Sequence, residues 1–212
     1  MNASAHMDGA RSAAPASGLR ANRRRRGGAL LLATALVATV AVLPAQAGPA
    51  VRSVGPVVMF MTTTEVPGAW SALVRTEDAV AATFHTSGLE PGSAATLWWV
   101  FFNNPAACVD ECNLPDLFVP AVQASVQFAA GHLIGGAGIA NYGGYIGEGD
   151  TSGCASPTLP CNGLLDSQEA EVHLVVRTHG QALPGVIDEQ ISSFNGGCNP
   201  TCANVQASVH LP

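Results

Sequence analysis

The chain has 212 residues, 48% of them hydrophobic and 11% charged, a length and composition typical of one globular domain. All nine basic residues are arginines and six of them precede residue 27, so residues 48–212 carry three arginines against 14 acidic residues, a formal net charge of −11. A surface this acidic repels phosphate backbones and anionic lipid headgroups, which argues against nucleic-acid binding.

The first element in chain order is a predicted signal peptide. The four arginines of 23–26 precede an apolar run at 29–43, and Ala45-Gln46-Ala47 follows it. This order of a positive region, an apolar region and small residues is typical of a secretory signal. The run of 15 residues is shorter than the roughly 18 to 20 that span a bilayer. We therefore predict cleavage after Ala47, export to the periplasm or the medium, and no stable membrane insertion afterwards. The general secretory route is favoured because Gly27 and Gly28 follow the arginines, and the twin-arginine route is the alternative.

Residues 48–212 are predicted to form one all-β domain. Hydrophobicity alternates with a period of two, and glycine and proline interrupt the pattern every 10 to 15 residues. The segment 95–103 is apolar on both faces, which is typical of a central strand covered on both sides. We predict an antiparallel β-sandwich of about eight strands with disulfide-stapled loops, and a β-barrel is the alternative. The strands are predicted at 57–64, 70–75, 80–87, 95–103, 122–128, 139–146, 170–178 and 204–211.

Six cysteines fall into three local pairs. Outside the cytoplasm an even number of cysteines indicates disulfides, and proximity favours pairing within each local pair, although 15 connectivities exist in principle. Zinc is a weaker alternative, because the C-x3-C and C-x6-C spacings differ from the usual C-x2-C of zinc sites. Each predicted disulfide would close a small ring in one loop. The cysteines are Cys108, Cys112, Cys154, Cys161, Cys198 and Cys202.

Two resemblances support this description. The segment T-x-H-T-S-G-L-E-P-G-x-x-x-x-L-W-W-V at 83–100 resembles the strand–turn–strand of fibronectin type III-like sandwiches, although Ala95 stands where those domains have a tyrosine. The longer pattern LWWVFFNNPAAC, EVHLVVRTHG, DEQISSFNGGC and VQASVHLP is similar to a family of uncharacterised exported bacterial β-sandwich proteins. That resemblance implies export, disulfides and a compact domain, and it assigns no activity.

The predicted strand 170–178 carries the best candidate site residues. Alternation places Glu171, His173, Arg177 and His179 on one face, with Val172, Leu174 and Val176 on the other. His173 and His179 lie about 20 Å apart along an extended strand, so they cannot bind one ion together. Either could bind copper or zinc with a histidine from another strand, His85 or His210. The alternative is a solvated polar face on which Glu171 pairs with His173.

Two further groups are candidates. Acidic residues in the cysteine-bearing loops could bind calcium, although no EF-hand spacing is present. They are Asp110, Glu111, Asp116, Glu148 and Asp150. Trp98 and Trp99 point to opposite faces of one strand. One of them could line a groove for a ligand, and burial of both in a core under a second layer is the alternative.

No nucleophile elbow, H-E-x-x-H motif or nucleotide-binding glycine motif occurs in the sequence. The sequence therefore favours a non-catalytic binding or structural function, with a metal-binding protein as the alternative, and leaves enzyme activity open. Glu171, Arg177 and Trp98 are the candidate ligand-binding residues. The small molecule, metal or protein partner, and a requirement for copper, zinc or calcium, stay open.

Overall fold

The structure is a computed structural model that describes residues 48–212, so the predicted signal peptide lies outside the described residues. The described part is all-β, with eight strands and short helices in the connections. The strands are β1 (Val51–Met59), β2 (Glu65–Arg75), β3 (Ala79–Thr86), β4 (Ser93–Phe102), β5 (Ser125–Leu133), β6 (Ala140–Gly147), β7 (Glu171–Gln181) and β8 (Ala203–His210). The helices are three 3₁₀ turns, Pro105–Ala107, Leu114–Phe118 and Pro120–Val122, and one α-helical turn, α1 (Ile187–Gln190).

All eight strands belong to one antiparallel sheet, in the order β5-β4-β7-β8-β1-β2-β3-β6. The sheet curves until it is nearly closed, and this shape fits both the predicted sandwich and the barrel alternative. Antiparallel pairing and the eight strands confirm the predicted fold class. Within residues 48–212 no helix is long and apolar enough to cross a membrane.

The inner face of the sheet encloses the main hydrophobic core. Alternate residues of β7 point inward, so Val172, Leu174 and Val176 are fully buried there, as the alternation predicted. Trp99 of β4 lies in the same core, with its ring stacked on Phe101 at a centroid distance of 5.7 Å. The same core includes buried residues of β3 and β6, at the other end of the sheet order. Their burial stabilises the curvature of the sheet, because this apolar area leaves water only when the sheet closes around it.

The opposite, outer face of β4 is covered as well. All ten residues of β4 are buried, which confirms the predicted central strand. Trp98, Val100 and Phe102 point outward into a second cluster, where they meet residues of the loops between strands. The loop 103–124 supplies Leu117 and Val122 to that cluster. The connections therefore form a second layer over one part of the sheet.

Some predicted boundaries are wrong by several residues. The first strand begins at Val51 instead of residue 57, although Gly55 and Pro56 interrupt its hydrophobic pattern. The fifth strand begins at Ser125, because Pro120 starts a 3₁₀ turn that takes Val122 out of the predicted strand. Gly88 and Gly92 adopt positive φ angles of 71° and 80° at the ends of the predicted turn between β3 and β4.

Candidate functional site

Three loops cover the outer face, and each contains one disulfide. The loops are 103–124 between β4 and β5, 148–170 between β6 and β7, and 182–202 between β7 and β8. The predicted local pairing is confirmed, and the bonds are Cys108–Cys112, Cys154–Cys161 and Cys198–Cys202. Each bond closes a ring within a single loop and joins no two strands, so it restrains the cover of the sheet.

An apolar cavity lies between these loops and the sheet, and we call it the outer pocket. Its volume is about 190 Å³. Four strands (β4, β5, β7 and β8) supply its floor, and all three disulfide-bearing loops supply its walls. Asn204 is the one polar residue among the ten that line it. The ten are Trp98, Val100, Leu114, Leu117, Phe118, Val126, Leu159, Val175, Phe194 and Asn204.

Trp98 forms the floor of the outer pocket and is held rigidly. Its indole N–H donates a hydrogen bond of 2.6 Å to the hydroxyl oxygen of Thr96. Phe128 and Phe194 contact the indole edge-to-face, with ring centroids 5.5 and 5.0 Å away. Because the polar N–H is satisfied inside the protein, the side of the ring toward the pocket is purely apolar. Both tryptophans are therefore buried, Trp99 in the inner core and Trp98 in the second cluster, where it also lines the outer pocket.

Arg177 of β7 connects the sheet to the loop segment that carries Phe194, a wall residue of the pocket. Its guanidinium donates to the carbonyl oxygen of Phe194 at 2.7 Å and to the side-chain oxygens of Asn195 and Asn204 at 2.7 and 2.9 Å. The guanidinium carbon lies 4.3 Å from the centroid of the Phe194 ring, a cation–π contact. Burial lowers the pKa of Arg177 below its usual range. The predicted ligand-binding arginine thus positions Phe194.

The polar face predicted on β7 is not solvated, and this expectation is corrected. His179 is fully buried, and Arg177 is half-buried under the loop 182–202. The reason is that Phe194 and other apolar loop residues pack on this face, which leaves its polar groups to bond with the backbone of the loop. Alternation along one strand cannot show such a cover, since the covering residues lie elsewhere in the chain.

A second, wider cavity of about 340 Å³ adjoins the outer pocket, and we call it the side groove. It runs over β7 and β8 toward the turn between β1 and β2, where Phe60 and Met61 border it. Val100, Leu114 and Val175 line both cavities, so the two are neighbours.

Glu171 and His173 lie beside the side groove, and His173 also lines it. The Nε2 atom of His173 is 2.6 Å from a carboxylate oxygen of Glu171, which confirms the predicted pair. Together with Glu111, Cys112, Val209 and Leu211 they line a further cavity of about 370 Å³, which is partly apolar. This cavity shares Cys112, His173 and Val209 with the side groove, so Glu111 and Glu171 lie next to that groove.

The four histidines predicted as metal ligands lie in separate surroundings. His85 stacks on Trp70 and contacts the Asn141 side chain at 2.6 Å. His210 lies between the hydroxyls of two serines, and His179 lies against a disulfide.

Within residues 48–212 the only group of three potential ligands is His179, Cys198 and Cys202, and the two cysteines are joined as a disulfide that offers no thiolate. The three-histidine site is therefore not formed. Metal binding at an individual histidine stays a prediction.

The acidic loop residues mainly stabilise their own loops. Both carboxylate oxygens of Asp116 accept backbone N–H groups, from Val109 at 3.3 Å and Asn113 at 2.9 Å. Glu148 accepts the N–H of Ser167, and Asp150 accepts that of Ser152. In the part of the chain that the structure describes, these acids form no group close enough to share one ion. Calcium binding stays a prediction.

Sequence reasoning missed the loop residues that complete the outer pocket. Leu114, Phe118, Leu159 and Phe194 are large apolar residues within polar, glycine- and proline-rich loops. The available signal was that these residues lie near cysteines in segments without periodicity. Large apolar side chains in a loop closed by a disulfide are expected to pack against the protein surface. Which surface they cover depends on the three-dimensional arrangement of the loops.

The comparisons with known proteins add no identity to this site. No family model, curated protein or solved structure matches the chain.

Proposed function

We propose that residues 48–212 form an exported, non-catalytic binding protein whose outer pocket takes an apolar group of a small-molecule ligand. The observation that carries the proposal is the pocket itself, an apolar cavity floored by Trp98 and walled by all three disulfide-bearing loops. Binding sites for small molecules are concave and mostly apolar, with a few polar groups at their edges.

The volume of the pocket favours one class of ligand. An apolar cavity of about 150 Å³ accommodates benzene. The outer pocket, at about 190 Å³, has room for one aromatic ring or a branched alkyl group. Edge-to-face contacts with Trp98 favour a ring. The adjoining side groove would hold the rest of a larger molecule.

The construction of the walls supports binding of a ligand in a preformed site. Disulfides restrain each loop, and Arg177 fixes Phe194 by hydrogen bonds and by its position over the ring. A preformed site binds more tightly than a mobile one, because less conformational entropy is lost on binding.

Three disulfides are the mark of an oxidising environment outside the cytoplasm. Together with the arginine cluster, the apolar run and the A-x-A site at 45–47, they support export by a cleaved signal peptide. We extend this to the family of exported bacterial β-sandwich proteins with the LWWVFFNNPAAC pattern, to which we assign the chain as part of the same proposal.

The test is a titration of residues 48–212 with N-phenyl-1-naphthylamine, an uncharged probe that fluoresces in apolar surroundings. We expect saturable enhancement. Leu114→Trp should abolish it, because the indole would fill the pocket from a position that is 39% exposed and so tolerates the larger side chain. Phe118→Ala should weaken binding about fivefold, since roughly 1 kcal/mol of apolar contact is lost.

Val109→Ala is the matched control. Val109 is an exposed apolar residue in the same loop as Phe118, and it lines neither the outer pocket nor the side groove. Its replacement should leave the titration unchanged. Equal binding by the unmodified protein and Leu114→Trp would refute the proposed site.

A further inference from the structure

The Cys198–Cys202 disulfide differs from the other two in its contact with a buried histidine. The Nδ1 atom of His179 lies 3.3 Å from Sγ of Cys202 and 2.8 Å from the carbonyl oxygen of Gly196. His179 is fully buried. This geometry is independent of the ligand proposed for the outer pocket.

A hydrogen-bond chain determines which nitrogen of His179 carries the proton. The indole N–H of Trp98 can only donate, so the hydroxyl oxygen of Thr96 accepts it at 2.6 Å. The Thr96 proton is then free to be donated to Nε2 of His179, 3.2 Å away. The carbonyl of Gly196 can only accept, so Nδ1 carries the proton and points it toward Gly196 and Cys202.

The same surroundings keep this histidine uncharged at neutral pH. Burial lowers the pKa of His179, the nearby charge of Arg177 acts in the same direction, and the hydrogen bond to Gly196 opposes both. The Nδ1–H group thus donates to the Gly196 carbonyl and lies beside Sγ of Cys202, at 3.3 Å. An N–H group at this distance stabilises a thiolate more than it stabilises a disulfide sulfur, because the thiolate carries a full negative charge.

The two sulfurs of the bond are not equivalent. Sγ of Cys198 contacts the Asn195 carbonyl at the solvent-exposed side, whereas the contact of Cys202 with His179 is partly buried. An incoming thiolate therefore reaches Cys198 first and leaves Cys202 beside the imidazole.

We propose that Cys198–Cys202 is a redox-active disulfide that exchanges with external dithiols. A thiolate of the dithiol attacks Sγ of Cys198, and the electron pair of the S–S bond leaves on Sγ of Cys202, where the Nδ1–H group of His179 stabilises it. The second thiolate of the dithiol then attacks the first sulfur of the same dithiol, which is bonded to Cys198. This step closes the dithiol to a cyclic disulfide and releases the thiolate of Cys198. The dithiol loses two electrons and two protons, and the two cysteines gain them.

The Cys154–Cys161 disulfide is a control within the same molecule. Cys161 is exposed, whereas Cys198 and Cys202 are both half-buried, so access alone favours reaction at Cys154–Cys161. Sγ of Cys161 lies 4.0 Å from the carbonyl oxygen of Thr151, and an acceptor oxygen offers a thiolate no stabilisation. Faster exchange at Cys198–Cys202 therefore cannot result from exposure.

The experiment exposes the oxidised protein, residues 48–212, to limiting dithiothreitol, stops the reaction with acid and alkylates the free thiols for peptide mass spectrometry. We expect Cys198–Cys202 to be reduced about tenfold faster than Cys154–Cys161, because a stabilised leaving thiolate departs faster. His179→Leu should abolish this advantage, and His179→Asn, whose amide offers an N–H group, should restore part of it.

The rate at Cys154–Cys161 in each variant reports whether the fold is intact, since unfolding would accelerate that disulfide as well. Equal rates for the two disulfides in the unmodified protein would overturn the proposal without any variant. So would a folded His179→Leu variant that keeps the full rate at Cys198–Cys202.

Discussion

His210 shows how single residues of this fold are kept uncharged. Its Nδ1 and Nε2 atoms lie 2.8 and 2.9 Å from the hydroxyls of Ser53 and Ser71. A hydroxyl can donate or accept, so two serines satisfy a neutral imidazole completely. Burial lowers the pKa of His210 to about 4, and the positive charges of Arg75 and His173 act in the same direction.

This burial predicts a pH dependence of stability. Between pH 6.5 and about 4 the unfolded chain binds a proton at His210 that the folded protein does not, so the free energy of unfolding falls as the pH falls through this window. Between pH 7.5 and 5 the loss from this residue reaches up to about 2 kcal/mol. Urea unfolding at both pH values measures it, and His210→Gln should show a smaller loss. An equal loss in the variant would show that other groups cause the dependence.

Gly131 of β5 is required by a close approach of two backbones. A methyl group at this position would lie 1.7 Å from the carbonyl oxygen of Ile191, in the loop that carries Phe194. Gly131→Ala should therefore lower the free energy of unfolding by about 1 to 3 kcal/mol, the usual cost of overpacking. Gly143→Ala in β6 is the control, since its nearest contact is 3.9 Å away. Equal stabilities of the two variants in urea would contradict this account.

At the scale of elements, the disulfides and the hydrophobic core act on different layers. Each disulfide closes a ring inside one loop, which stabilises the fold by only about 2 to 2.5 kcal/mol in the loop-entropy model. The inner core, built around Leu174 and Trp99, includes no cysteine. We therefore expect the sheet to stay folded when the disulfides are reduced. The loops that cover its outer face should lose their fixed packing.

Reduction tests this separation. With all three disulfides reduced, we expect the β-type far-ultraviolet circular dichroism to persist, while the near-ultraviolet signal of Trp98 is lost as the loops loosen. The variant Trp98→Phe identifies that signal by subtraction. Complete loss of the β signal under mild reductant would mean that the disulfides hold the sheet itself.

How far the sequence predicts the molecule depends on the range of the interactions. Alternation within β7 correctly assigned Val172, Leu174 and Val176 to the core, because the two faces of a strand are a local property. The double burial of β4 was equally readable from its continuous apolar run. The curvature that nearly closes the sheet could not be predicted from the sequence, since it depends on pairings between strands far apart in the chain.

The candidate site was only partly predictable for the same reason. Trp98 and Arg177 stood out by residue type and strand position. The contact of Arg177 with Phe194 and that of His179 with Cys202 join segments 17 and 23 residues apart through a loop without periodicity. No pattern in the sequence fixes where such a loop lies on the sheet.

At the scale of the whole molecule, the fold separates a buried inner core from the outer pocket. Both are apolar, and β4 and β7 divide them. Leu174 and Val176 face the core, whereas Val175 between them lines the outer pocket and the side groove. Adjacent residues of one strand therefore report on the two compartments separately.

The most direct test of the central claim, that the outer pocket binds apolar ligands, is a methyl nuclear magnetic resonance titration of residues 48–212 with indole. The account predicts saturable chemical-shift changes at the methyl groups of Val100, Val126 and Val175, with those of Val172 and Val176 unchanged. The absence of changes at the pocket methyl groups, or equal changes in both sets, would contradict it.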